Sequence, residues 1–202
     1  MHIEFLLEEP SAEAALKNLL PRILPAGWTW RFHVYHGKMD LLHKLPQRLA
    51  GYAYHLSRHW RIVVLVDEDR EDCHALKARL EGAAREAGLA TKSDAGGGRA
   101  FRVMNRIVVE ELEAWYFGDV QALEAAYPRL PKNLASRRPY LDPDAVPGGT
   151  WEALERELRR AGYYRGGLRK IEAARRISAH MVPERNRSRS FQVFCEGLLS
   201  FL

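Results

Sequence analysis

The sequence predicts an α/β protein: a mainly parallel, four-stranded sheet flanked by helices, with a helical extension at its carboxyl end. Three observations predict it. Ile62, Val63, Val64, Leu65 and Val66 form an unalternating, mostly β-branched run, the pattern of a strand buried on both faces inside a parallel sheet. Strand-like and helix-like segments alternate as β-α-β-α-β-α-β up to Met104, an order that requires right-handed crossovers. From Val108 onward the pattern is helical, interrupted by one proline-rich stretch.

In chain order, His2–Leu7 (HIEFLL) is a short apolar run and reads as the first strand. Ser11 is a good N-cap, and Ala12–Leu20 reads as a helix stopped by Pro21. Trp28–His36 alternates apolar and polar residues as a half-buried strand does, and Gly37 ends it. Leu41–Leu56 reads as a helix in spite of Pro46. The central run follows, and then Cys73–Ala87 has helical composition and is closed by Gly88. Asp94–Gly98 (DAGGG) reads as a connector and Ala100–Met104 as the fourth strand. Val108–Phe117 and Val120–Ala126 read as helices. Tyr127–Gly149, with prolines at 128, 131, 139, 143 and 147, reads as loop. Thr150–Ala161, capped by Thr150, then Leu168–His180 and Phe191–Leu202 read as the last helices. These segments divide the chain into an α/β domain over 1–119 and a basic helical extension over 120–202 packed on it.

Composition bounds the function. A chain of 202 residues with 47% apolar and 28% charged residues is that of a soluble globular protein. No apolar run approaches the roughly 20 residues that cross a bilayer, and the amino terminus has no signal-peptide pattern, so the expectation is a cytoplasmic protein. Cys73 and Cys195 lie far apart, which suggests neither a disulfide framework nor a zinc cluster. The net charge of +5 is uneven. Residues 1–119 carry 16 Lys/Arg against 17 Asp/Glu, and residues 120–202 carry 15 against 9. A basic segment beside an acidic cluster suits a phosphodiester substrate such as nucleic acid; it equally suits a solvated surface.

The acidic cluster follows the central strand. Asp67 and Asp69 lie two residues apart on the turn from strand to helix, with Glu71 beyond them. Carboxylates held that close repel unless a proton or a cation lies between them, and a hard divalent ion, Mg2+ or Mn2+, is the natural partner for such oxygens. The competing reading is that they only cap the next helix. Glu8 ends the first strand, on a turn into a helix as well. The carboxyl ends of neighbouring parallel strands lie side by side, so Glu8 is placed to reach an ion held by Asp67 and Asp69, with Glu9 its rival for that place. Glu110 and Glu113, three apart on an expected helix, would supply a further acidic pair behind the ion. Arg185, Arg187 and Arg189, interleaved with Asn186, Ser188 and Ser190, would grip phosphates, or form a solvated linker. The histidines have no metal-ligand spacing.

A Glu on the first strand and Asp-x-Asp on a later one, in FLLEEPSAEAAL at 5–16 and VVLVDEDRE at 63–71, resembles the Toprim domain of topoisomerases, primases and OLD-type nucleases. More closely, LLEEPS, DEDREDC, EELEAWYFGD at 110–119, GGTWEALE at 148–155 and GGLRKIEAARRI at 166–177 are similar to the 4276 family of domains of unknown function. That family is regarded as Toprim-like and is often encoded near ATPases in anti-phage defence neighbourhoods. The resemblance implies Glu8 as general base or metal ligand, Asp67 and Asp69 as Mg2+ ligands and Glu71 as a third acid. Toprim domains usually carry Gly after the glutamate, where this chain has Glu9. Toprim topoisomerases also need a nucleophilic tyrosine, and nothing marks Tyr127, Tyr140, Tyr163 or Tyr164 for that role.

The expected function is therefore a Mg2+-dependent nuclease or related phosphodiesterase. The chain has no Gly-x4-Gly-Lys-Ser/Thr, so any ATP hydrolysis would come from a partner protein. The alternatives are a non-catalytic binding module or toxin subunit with the same fold, or another Asp-x-Asp enzyme such as a glycosyltransferase. Substrate and oligomeric state, monomer or homodimer, stay open.

Overall fold

A computed structural model describes residues 1–57, 59–69, 71–96 and 100–202 of the chain. Four strands, β1 (His2–Leu7), β2 (Thr29–Val34), β3 (Trp60–Asp67) and β4 (Val103–Val108), form one all-parallel sheet in the order β2-β1-β3-β4. Phe5 of β1 lies between Phe32 of β2 and Val63 of β3, which fixes the register of the three strands. The helices number eight among the described residues: α1 (Pro10–Ile23), α2 (Lys38–His55), α3 (Cys73–Glu86), α4 (Glu113–Gly118), α5 (Val120–Ala126), α6 (Thr150–Arg160), α7 (Lys170–Ser178) and α8 (Arg189–Leu199). The expected α/β class with a parallel four-stranded sheet is what forms, and none of these helices is long and apolar enough to cross a membrane.

The chain folds as two compact units. The first comprises residues 1–10, 25–107 and 200–202; the second comprises 11–24 and 108–199. In the first unit, Leu6 of β1 and Ile62, Val64 and Val66 of β3 share a core with Leu41, Leu42, Leu45 and Leu49 of α2 and with Leu76, Leu80 and Ala84 of α3. The intervening residues Ile3, Phe5, Leu7, Val63 and Leu65 are buried as well. This burial on both faces is why the central run shows no alternation.

In the second unit, α4 packs with α5, α6 and α8, and α5 with α7. Trp115 lies against Phe191 and Phe194, with ring centroids 5.0 Å from each. Helix α1 belongs to this unit. Its Arg22 guanidinium donates to the carbonyls of Ser178, Ala179 and Met181, satisfying the end of α7, and Asn18 donates to the Arg175 carbonyl and the Ser178 hydroxyl.

Several boundaries differ from those expected, each for a local reason. Helix α1 starts at Pro10, whose fixed φ suits a first helical position, so Ser11 is inside the helix; Pro21 is inside it too. The fourth strand is Val103–Val108 and not Ala100–Met104; it continues past Met104 because Asn105 is buried with its amide donating to Glu81. Consequently only residues 113–117 of the expected 108–117 helix are α-helical, within α4. Gly149, and not Thr150, is the N-cap of α6; the Thr150 hydroxyl donates instead to Glu111. Helix α7 begins at Lys170 with Arg169 as its N-cap, the Leu168 N–H ahead of it donating to Glu155, and α8 runs from Arg189 to Leu199. Gly97 and Gly98 of the expected connector lie outside the described residues.

Candidate functional site

Three strand-to-helix turns meet at the carboxyl rim of the sheet in the first unit. The chain leaves β1 through Glu8 and Glu9, leaves β2 through Tyr35 to Gly37 into α2, and leaves β3 through Asp67 to Asp72 into α3. Backbone hydrogen bonds hold the first two turns together: Tyr35 N–H donates to the Leu7 carbonyl at 2.9 Å and Gly37 N–H to the Glu8 carbonyl at 3.0 Å. Gly37 has φ +93°, in the left-handed region open to glycine, and Lys38 is the first residue of α2.

Glu8 and Asp67 are brought together. The Glu8 carboxylate accepts a hydrogen bond from the Asp67 N–H at 3.1 Å. Burial pushes the Glu8 carboxyl up to about 6, and the charges of Asp69 and Glu9 push the same way; the Asp67 hydrogen bond and the Lys38 charge oppose them. Asp67 is itself buried at the last position of β3. Asp69 sits at φ +53°, a conformation that aspartate tolerates better than most residues. Asp72 caps α3, its carboxylate accepting from the N–H groups of His74 and Ala75. The capping role therefore falls to Asp72 and leaves Asp67, Asp69 and Glu71 on the rim.

The sequence reading missed the cation in this cluster. The Lys38 ammonium lies 2.6 Å from Asp69 Oδ2 and 3.1 Å from Glu71 Oε1, and it donates to the Glu68 carbonyl at 3.1 Å. Its side chain is 7% exposed, whereas those of Asp69 and Glu71 are 48% and 49% exposed. Burial alone would lower the lysine pKa, but Asp69 and Glu71 outweigh it and hold the ammonium above its ordinary range. A single lysine after Gly37 carries no periodic signal. Its position is what could have revealed it: it occupies the same strand-to-helix turn of β2 that Glu8 occupies after β1 and Asp67 after β3.

The donor chemistry of the rim fits a hard divalent ion, since Glu8, Asp67, Asp69 and Glu71 offer carboxylate oxygens. The arrangement is set for a different cation. Among the described residues, no three carboxylate, imidazole or thiol side chains are placed to hold a metal, and Lys38 engages two of the acids that would have to turn inward.

The other expected residues lie in the second unit. Glu113 is buried at the start of α4, and Glu110 has φ +60°. The Arg185 guanidinium is committed to the buried Asp119 carboxylate through two bonds of 2.8 Å. Arg189 pairs with Glu196 at 2.7 Å. Arg187 is exposed, and its N–H donates to the Gly118 carbonyl. Asp119 also accepts from the Val182 N–H and caps α5 through the Ala122 N–H, which gives Arg185 a structural partner.

A second polar cluster escaped the sequence reading. Glu4, 3% exposed in the middle of the apolar run of β1, accepts hydrogen bonds from Tyr52 at 2.8 Å, from His2 at 3.0 Å and from His33. Arg48 donates to the other ring nitrogen of His33 at 2.8 Å. That contact places the imidazole proton on the nitrogen facing Glu4.

A family model described as a domain of unknown function, DUF4276, matches residues 7–199 of the chain. No curated protein and no solved structure matches it at a significant level.

Proposed function

The chain belongs to the DUF4276 family of domains of unknown function, and from that premise we propose that its carboxyl rim is a Mg2+- or Mn2+-dependent site of Toprim type that hydrolyses phosphodiesters of nucleic acid in the cytoplasm. The observation that carries this reading is the meeting of Glu8 and Asp67, 59 residues apart in the chain, at adjacent parallel strand ends. Asp67, Asp69 and Glu71 would hold the ion, which when bound would offset charge building on a phosphate and acidify a water, and Glu8 would be left free to act as the base.

The residues themselves divide the remaining work. Glu8, with a carboxyl near 6, is ionised at neutral pH and basic enough to accept a proton from an attacking water. The Asp67 N–H holds one Glu8 oxygen in place at 3.1 Å and so fixes the direction of the other. Glu9, beside Glu8 in the chain, adds negative charge and raises the basicity of Glu8 further. Hydrolysis is favoured over strand passage because Tyr35, the tyrosine on the β2 turn, is buried in the core beside Leu41 and Leu45 and is not presented as a nucleophile. An ATPase partner would supply any ATP-driven step.

The test is cleavage of single- and double-stranded DNA and RNA by the purified chain in Mg2+ or Mn2+. Cleavage should vanish with EDTA and in Asp67→Ala; robust cleavage by Asp67→Ala would refute the assignment. One observation favours a second reading, a non-catalytic binding module: Asp69 and Glu71 are satisfied by Lys38 without any metal. Absence of both cleavage and Mn2+ binding in the folded chain selects that reading.

A further inference from the structure

We propose that Lys38 is a resident cation of the rim, one that a divalent ion must displace from Asp69 and Glu71 before the site is complete. The inference rests on the metal-dependent reading of the rim and adds to it a residue that governs when metal is held. The ammonium is coordinated as a small hard cation would be: three oxygens, of Asp69, Glu71 and the Glu68 carbonyl, lie within 2.6–3.1 Å of Nζ and all come from the β3–α3 turn. Two of those three donors are acids that the metal would use.

Nothing local recommends a lysine at this position. Lys38 is the first residue of an 18-residue helix, where the aligned peptide dipoles present positive charge and disfavour a cation. It is also the buried member of its ion pairs, at 7% exposure against 48% and 49% for its partners. In an ordinary surface pair the lysine head stays in water. Burying an ammonium is unfavourable unless its proton donors are matched by acceptors, and here the match comes entirely from the acidic turn.

Displacement has two consequences. Lys38 and a divalent ion exclude each other at Asp69 and Glu71, so the charge of the metal-free rim is partly offset from within and metal affinity is held down. Once released, the ammonium remains tethered beside Glu8 on its four-carbon stem, as a point charge available to a phosphate oxygen. Lys38 is thus a positioning residue for the acids before metal binds and a phosphate contact afterwards.

The experiment compares the wild-type chain with Lys38→Gln, following Mn2+ binding by electron paramagnetic resonance and melting temperature in EDTA or Mg2+. Lys38→Gln should bind Mn2+ about tenfold more tightly, as removal of a competing unit charge at contact distance implies. It should also melt lower than wild type in EDTA and gain more from Mg2+. Equal Mn2+ affinity in both proteins would overturn the proposal while leaving a metal site standing; failure of both to bind Mn2+ would remove the metal-dependent reading and this inference with it. If Lys38→Gln does not fold, the wild-type chain suffices. Acetylation of Lys38, followed by peptide mass spectrometry with exposed Lys132 as reference, should be slow in EDTA and faster in saturating Mg2+. An unchanged rate when Mn2+ binding has been demonstrated would overturn the proposal.

Discussion

Glu8→Gln should make the protein more stable at neutral pH while removing its proposed activity. The substitution keeps an oxygen to accept the Asp67 N–H, at 3.1 Å in the wild-type chain, and removes only the charge. The carboxyl is raised from 4.5 to about 6, chiefly by burial. Because each tenfold change in proton affinity is worth about 1.4 kcal/mol, the full displacement corresponds to roughly 2 kcal/mol. Glu8 is partly open to solvent, and screening leaves about 1 kcal/mol of that as a realistic gain. The folded chain holds this proton more tightly than the unfolded chain. The cost of ionising Glu8 in place is therefore absent below pH 4.5, grows as the pH rises and is complete above about 6. Urea denaturation of both proteins at about pH 4 and pH 7.5 measures it. The two should be equal in acid, and at pH 7.5 Glu8→Gln should be the more stable by about 1 kcal/mol, which thermal unfolding would read as about 2–4 °C in melting temperature for a chain of this size. A less stable Glu8→Gln at pH 7.5, with no difference in acid, would show that Lys38 makes the Glu8 anion favourable and that burial does not govern it.

Glu4→Gln should destabilise by about 2–3 kcal/mol at pH 7, because a carboxylate that accepts from Tyr52, His2 and His33 becomes an amide with one acceptor oxygen. Burial raises the Glu4 carboxyl, but those donors outweigh it and hold it below 4.5, so the anion's contribution is present above pH 4.5 and lost in acid, where chemical denaturation should show the gap closing. Gly118→Ala should destabilise by about 3 kcal/mol or more in the same assay. Its Cβ would overlap Asn186 Oδ1 and approach the Ser188 N to 2.9 Å. Asn186 is held by the Trp115 carbonyl at 2.8 Å and by the Ser188 N–H at 2.9 Å; a Gly118→Ala protein of wild-type stability would show that this turn yields.

The sheet was legible because burial on both faces leaves a direct trace: an unbroken run from Ile62 to Val66 allows few alternatives. The extent of the fourth strand was not, since Asn105 and Arg106 resemble a surface and VVEELEAWYF looks helical from its first residue, Val108. At the rim, the acids announced themselves through spacing, whereas Lys38 is one cation among 31 Lys/Arg and acquires meaning only when the β2 turn is set beside the β1 turn. Glu4 was hidden for the opposite reason. Within HIEFLL a lone glutamate looks like the solvent side of an edge strand, and only the approach of Tyr52 and His33 makes it interior. The arginines 185, 187 and 189 looked alike in sequence, yet Asp119 and Glu196 give two of them partners.

Helix α1 is drawn from the start of the chain into a unit whose other residues begin at Val108. Gene truncation therefore cannot isolate that unit: a fragment spanning 108–202 would lack Arg22 and Asn18, and the carbonyls closing α7 would lose the side chains that satisfy them. Its recombinant expression would call for a circular permutant or a spliced linker joining Leu24 to Val108.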